Sequence, residues 1–244
     1  MKNSLENNLK AWNSDYPWSQ DGDEWQGQAA YCGVDYEYWK NSLADHLLFP
    51  YLNKDARVLE IAPGHGRWST LMIPRVKELI LVDLGDNNIE FCKARFKDFD
   101  HIQYIVNDGS SLPGVANNSL DLVWSYDSFV HMEPSIVESY IQEIGRVLKP
   151  SGKAIIHHAG RFHFTLFLGF LKNWGKLGLH LYKAISMGRL HDTDGWRSNV
   201  SREMVRGFAQ KSQLKVNWQK RFWQDGQIGV PRFNDCITEL EKPH

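Results

Sequence analysis

The stretch Val58–Trp68, "VLEIAPGHGRW", decides the fold. A short apolar run enters a turn that carries two glycines, with an acid, Glu60, lodged inside the run. A turn of this kind after a strand brings backbone close to a ligand. Working outward, short apolar runs alternate with helical periodicity. Strands are expected at 57–62, 78–83, 102–106, 120–125 and 153–158, and helices at about 66–73, 86–97 and 134–148. The last helix is the clearest, with Pro134 in its first turn and Val137, Ile141, Ile144 and Leu148 in one stripe. Alternating strands and crossover helices predict an α/β fold, a Rossmann-like, doubly wound, mostly parallel sheet. Past His158, an amphipathic stretch at 161–190 precedes a helix at about 201–212, with Ser201 as its cap. Strands near 214–223 and 232–240 then predict a terminal antiparallel hairpin strand. Residues 1–34 form an aromatic N-terminal covering segment, expected to be largely loop, and residues 35–244 the main domain, with a helical insertion at about 161–195.

Bulk properties exclude several classes. With 244 residues, 42% apolar and 23% charged, the chain is sized and composed for one globular domain. A net charge of -1 gives no electrostatic footprint for nucleic acid. Cys32, Cys92 and Cys236 are scattered and read as reduced thiols, without the spacing of a metal site or a disulfide framework. The polar N-terminus and the lack of a long apolar run predict a cytoplasmic enzyme. Ten tryptophans are many for this length, and Trp12, Trp18, Trp25 and Trp39 crowd the first forty residues.

In open α/β sheets ligands sit beyond the carboxyl ends of the strands, so the strand-ending residues define the expected site. Gly64 and Gly66 admit a close backbone approach. Asp83 is placed to accept both hydroxyls of a ribose, which suits a nicotinamide dinucleotide as well as S-adenosylmethionine. Glu60 separates the two. A carboxylate beside the turn repels a pyrophosphate and attracts a ligand that bears an ammonium and a sulfonium. Asp108, in "VNDGSSL", offers an acceptor for an adenine amino group; its other reading is an Asx turn before Gly109.

The segments "VLEIAPGHGRW", "LILVDL", "VNDGSSL", "LDLVWSYDSFVHMEP" and "IGRVLKPSGKAIIHH" resemble, in that order, the motif series of class I S-adenosylmethionine-dependent methyltransferases. The resemblance runs over about residues 55–160. It implies that Glu60, Gly64 and Gly66 line the methionine end, Asp83 the ribose and Asp108 the adenine, with Ala62, Leu84, Gly109 and Ser125 completing the cofactor set. Ala62 stands where the family usually has its first glycine. "DYPWSQDGDEW", "IIHH" and "GWRSNVS" are also similar to bacterial methyltransferases associated with surface-polysaccharide sugars, which implies a sugar or sugar-nucleotide hydroxyl as acceptor. Other small N- or phosphate-type acceptors are the alternative. A nicotinamide-dependent reductase and a non-catalytic nucleotide-binding module stay open as other classes.

On the acceptor side, His131 is the expected general base, since an imidazole titrates near neutrality. His157 and His158 are strand neighbours that point to opposite faces. Of the two, His158, nearer the strand end, is expected in the site, and no metal site is expected there. Asp127 is expected to orient a histidine or a substrate hydroxyl. Trp18, Tyr126, Trp196 and Arg197 are expected to contact the acceptor, a small molecule. The segment at 161–190 is read first as a helical cap, second as a homodimer contact and third as a membrane-surface helix.

Overall fold

A computed structural model describes residues 4–20, 22–23, 26–160, 168–187, 197–231 and 234–244. Trp196, and the N-terminal Asp21, Glu24 and Trp25, lie outside the described residues.

Seven strands form the main sheet: β1 (Arg57–Ile61), β2 (Glu78–Asp83), β3 (Ile102–Val106), β4 (Leu120–Ser125), β5 (Leu148–His158), β6 (Lys215–Lys220) and, last in sequence, β9 (Cys236–Glu241). Their order is β3-β2-β1-β4-β5-β9-β6. The first five strands are parallel, and β9 runs antiparallel to both β5 and β6. The expected Rossmann-like sheet with a terminal antiparallel strand is therefore the observed one. β1 and β2 are buried from their second residue onward, and apolar there apart from Glu60 and Asp83, because both of their faces are covered.

The pleat divides the core into two layers. Val58, Leu122, Trp124, Tyr126 and Ile155 face one layer, together with Trp39, Leu43, Trp68 and Met72. Leu59, Ile61, Val123, Ala154 and Ile156 face the other, against the helix Pro134–Val147 through Val137, Ile141 and Ile144. This parity puts Glu60 and His157 on the Trp39 side and His158 on the other side. The helix Arg202–Lys211 starts as expected, with Ser201 Oγ accepting from Met204 N–H at 3.2 Å.

A two-stranded ribbon, β7 (Phe222–Trp223) with β8 (Ile228–Gly229), interrupts the stretch expected as one strand at 214–223. It packs on the helix Tyr36–Leu43: Trp39 Nε1 donates to the Gly229 carbonyl at 2.9 Å and Trp223 Nε1 to Ser42 Oγ at 2.9 Å.

The N-terminal segment is more helical than its composition implies. Leu5–Leu9 forms an α-helix capped by Ser4, and Lys10–Asp15 continues it as a wider turn. The helical propensity is weak, and the hold is long-range. Asn8 Nδ2 donates to the His131 carbonyl at 2.9 Å, and Asn13 Nδ2 to Asp86 at 2.9 Å.

In the insertion, Gly175–Met187 is helical, with Leu171 and Tyr182 buried and Trp174 and Leu177 exposed. No helix among the described residues is long and apolar enough to cross a membrane.

Candidate active site

A cavity of about 590 Å³ opens beyond the carboxyl ends of β1, β2 and β4. At one end it is lined by Ala62, Gly64, Asp83, Leu84 and Gly109, and at the other by Arg67, Tyr126, Asp127, His131 and Arg197. Its cover is the N-terminal segment, through Leu5, Trp12, Tyr16 and Trp18. None of the described residues of the insertion lines it, so the covering role expected of 161–190 falls to residues 5–18 among the described residues.

The turn after β1 is built on left-handed backbone. Ala62 has φ +58° and Gly64 φ +56°. An L-residue pays about 1–2 kcal/mol for this region, and alanine tolerates it because its side chain is a single methyl. A Cβ on Gly64 would stand 2.7 Å from the Trp18 ring, so glycine here lets the cover close. Gly66 does not line the cavity; a Cβ there would meet the Phe96 ring at 2.6 Å, which makes its role one of packing.

Asp83 is fixed rather than free. Its Oδ1 accepts from Gly85 N–H at 2.8 Å and its Oδ2 from Gly64 N–H at 3.3 Å. Burial nonetheless lifts its carboxyl to about 6. Glu60 lies beneath the turn, 2% exposed, bonded to Ser69 Oγ and absent from the cavity wall. Burial lifts it to about 7. A cation above the turn would favour its ionised form through space.

Like Glu60 and Gly66, two further expected cofactor contacts, Asp108 and Ser125, are absent from the cavity wall. Asp108 is exposed, and its Oδ1 accepts from the backbone N–H and hydroxyl of both Ser110 and Ser111. It stabilises its own loop as an Asx turn. In its place Gly109 faces the cavity, closed over by Leu5, whose methyl would stand 2.4 Å from a Cβ there. Ser125 is buried below the site, bonded to the Ile61 carbonyl at 2.9 Å and to Ser128 Oγ at 2.6 Å.

The expectation for His158 is corrected as well. It sits on the far face of the sheet, fully buried, with Nδ1 2.7 Å from the Ala159 carbonyl and Nε2 2.7 Å from Thr238 Oγ1. Burial lowers it to about 4. Its neighbour His157 occupies the site's floor, stacked under Tyr126 at a ring separation of 4.4 Å. His157 Nδ1 is 3.1 Å from Asp127 Oδ1 and Nε2 is 3.5 Å from Asp235 Oδ2. Burial opposes its protonation, yet the two carboxylates raise it above the usual histidine range. Burial also works against Asp127, but His157 and Arg67 hold its carboxyl well below the usual range. Asp127, at φ +65°, is thus an ionised acceptor of low basicity, suited to orienting a hydroxyl rather than deprotonating it.

Three further residues of this network, Arg67, Asp235 and Gln28, went unread in the sequence. Arg67 Nη2 donates to Asp127 Oδ2 at 3.0 Å, and Arg197 Nη2 lies 2.9 Å from Asp235 Oδ2. Gln28 Nε2 donates to the same Asp235 oxygen at 3.2 Å. Asp23, bonded to Tyr36 and Lys40, reaches Arg67 Nε at 4.0 Å. Arg67 stands inside the opening motif and was readable as a cation beside the turn; Asp235 had no local signal. His131 lines the cavity with its ring 5.1 Å from that of Trp12, and its Nε2 is 3.3 Å from Arg197 Nη1. Guanidinium nitrogens only donate, so in this contact Nε2 is the acceptor. Trp18 stacks on His65 at 5.1 Å and donates from Nε1 to the Trp12 carbonyl at 2.8 Å.

A pH dependence follows from these carboxyls. Because folding raises Glu60 and Asp83, the free protein holds more protons than the unfolded chain between about pH 4 and 7, and its stability falls as pH rises through that window. A ribose hydroxyl is best accepted by ionised Asp83. Binding of S-adenosylhomocysteine is therefore expected to tighten from pH 5 to 7 and then level off. Calorimetry in buffers of differing ionisation enthalpy should show proton release at pH 5.5; a flat affinity across this range would refute it.

Comparison with known proteins agrees with the geometry. Residues 58–152 match the methyltransferase domain family. The biotin biosynthesis bifunctional protein BioHC of Cellvibrio japonicus is 32% identical over 104 residues, covering 43% of this chain and 20% of that protein. The squalestatin hexaketide synthase of a Phoma species is 29% identical over 139 residues, covering 50% of this chain and 5% of that one. The chain thus spans a fifth or less of the length of these curated relatives. Among solved structures, the geranyl diphosphate C-methyltransferase of Streptomyces coelicolor, in complex with Mg2+, geranyl diphosphate and S-adenosyl-L-homocysteine, superposes with a TM-score of 0.63 at 12% identity, covering 98% of both chains. A chain of the complex between the Haloferax volcanii Trm112 methyltransferase activator and a methyltransferase gives 0.62 at 17% identity, covering 97% of this chain and 98% of that one. Residues 58–152 are thus similar to a methyltransferase domain, the fold is similar to that of these solved structures, and the left-handed turn at 62–64, the buried acceptor Asp83 and the apolar slot of Leu5, Leu84 and Gly109 form one end of the cavity beside the matched residues.

Proposed function

We propose that the whole chain is an enzyme that moves a methyl group from S-adenosylmethionine to a small polar acceptor, a hydroxyl of a sugar or sugar nucleotide. The observation that carries this reading is the single cavity that joins the Asp83 end to the polar end at Asp127 and His131 beneath aromatic rings. Its volume falls within the ~300–1,000 Å³ of small-molecule sites and suits a cofactor with a small partner.

When bound, S-adenosylmethionine supplies an electrophilic methyl group on a sulfonium. The chain's own residues then have three tasks. Trp12, Tyr16 and Trp18 cover the cavity, exclude water and offer flat apolar faces to a sugar ring. Asp127, ionised and anchored by Arg67 and His157, accepts the hydrogen bond of an acceptor hydroxyl and sets its direction. His131 receives the hydroxyl proton on Nε2 once that nitrogen turns from the Arg197 guanidinium to the acceptor.

The test is a survey of acceptors with methyl-labelled S-adenosylmethionine: neutral sugars, sugar nucleotides, amines and carbon acids. Label in a sugar hydroxyl is the expected result, and His131→Ala is expected to lower turnover about 100-fold, the usual scale for a general base. Label only in amines or carbon acids would overturn the hydroxyl reading and leave the transfer itself standing.

A further inference from the structure

The polar end of the cavity holds more cationic hydrogen-bonding capacity than its own acids use. Arg67 is 8% exposed and lies in the cavity wall. Its Nη2 is engaged by Asp127; Nε and Nη1, both buried, make no hydrogen bond of good geometry, with the Tyr36 hydroxyl as the neighbouring oxygen. The nearest other carboxylate, Asp23, is already bonded to Tyr36 and Lys40 and stands 4.0 Å from Nε. The buried hydroxyl of Tyr126, in the same wall, likewise has no partner. Arg197, its side chain 12% exposed, faces the same cavity and carries Asp235 on Nη2.

Charge counting sharpens the point. Asp127 and Asp235 are each shared between an arginine and His157, which stands between them. Buried donors are nearly always satisfied, and a guanidinium most strongly by an oxyanion. An anionic group entering here would find donors already held in place by the two aspartates.

We infer that Arg67, Arg197 and the Tyr126 hydroxyl form an anion subsite, so that the methyl acceptor carries a carboxylate or phosphate group besides the atom that is methylated. This inference rests on the methyl-transfer reading and names the acceptor's class. The aspartates act as positioning residues: Asp127 holds Arg67 by Nη2 and leaves its Nε and Nη1 for the ligand, and Asp235 fixes Arg197 in the cavity wall beside it. The carboxylate of the cofactor's own methionine end is the other source of the same chemistry, and the experiment separates the two.

The full chain is saturated with S-adenosylhomocysteine and titrated calorimetrically with glucose, glucuronate and glucose 6-phosphate. Glucuronate or glucose 6-phosphate is expected to bind about tenfold or more tighter than glucose, the scale of a charge-assisted contact in a buried site. Which of the two wins identifies carboxylate or phosphate. Arg67→Gln and Arg197→Gln are each expected to abolish that preference, with Arg67→Lys restoring part of it, while S-adenosylhomocysteine binds as before. Equal binding of acidic and neutral sugars, or binding of none by a protein that holds S-adenosylhomocysteine, overturns the inference. A loss in Arg67→Gln that falls on S-adenosylhomocysteine instead also overturns it, by assigning the anion to the cofactor. Failure of the wild type to bind S-adenosylhomocysteine at all would strike the methyl-transfer reading beneath it. Should Arg67→Gln not fold, as judged by circular dichroism, Arg197→Gln with the wild-type selectivity carries the same decision.

Discussion

His157→Ala is expected to destabilise the protein by about 3–5 kcal/mol, the cost of removing one member of a buried charge cluster. The imidazole is fully buried, lies 3.1 Å from one carboxylate and 3.5 Å from another, and supports the Tyr126 ring. Alanine would leave Asp127 and Asp235 facing each other across a cavity. The change is read as a shift of the urea midpoint at constant slope. The pH dependence gives a second readout. The folded-state value of His157 is raised, so its stabilisation is fully present below the unfolded value near 6.5 and is lost as pH rises through the folded value. Asp127 has the opposite sign: its folded value is depressed, so its stabilisation is present above about 3.9 and lost as pH falls below it. The wild type should therefore lose stability from this cluster on both sides of a plateau, and His157→Ala should lose the alkaline limb. A variant as stable as wild type at pH 6 would show that the cluster is energetically idle.

Asp83→Ala is expected to weaken S-adenosylhomocysteine binding by about 100-fold or more. Two hydroxyl bonds to an ionised acceptor contribute roughly 1.5–3 kcal/mol each. Part of the loss is indirect, since Asp83 also accepts from Gly64 and Gly85 and so braces the turn. Asp83→Asn separates the two parts: it keeps an oxygen for one backbone donor but not the charge, and should bind between wild type and alanine. Isothermal calorimetry at pH 7.5, where the wild-type carboxyl is ionised, makes the measurement. Unchanged binding in Asp83→Ala would mean that the ribose lies elsewhere.

Much of the sheet was legible because each strand is a local pattern. β2, β3 and β4 are apolar runs whose ends coincide with polar residues, and the helix Pro134–Val147 announces itself by proline and by its stripe. The N-terminal helix was not legible, since Leu5–Leu9 has little propensity and is held by His131, and the turn that continues it by Asp86, both far along the chain. The turn and Asp83 were read from spacing alone. Asp108 misled because an acid after a strand has the same appearance whether it meets a ligand or two serines of its own loop. The histidine pair shows where parity stops being informative. Alternation says that two neighbours face opposite ways, but which one reaches the site depends on what lies on each face, and the partner of His157, Asp235, comes from a distant strand end. Arg67 was passed over because a loop arginine is ordinarily solvated; only burial by Trp68, Tyr36 and the cover makes it a wall residue.

The segment that roofs the cavity contributes no fully buried side chain between Leu5 and Asp15. It is fastened by a few hydrogen bonds and ring contacts, and neither layer of the core depends on it. Under the proposed methyl transfer, a cover fastened this lightly could lift without unpacking either layer, and turnover limited by that opening would fall as solvent viscosity rises.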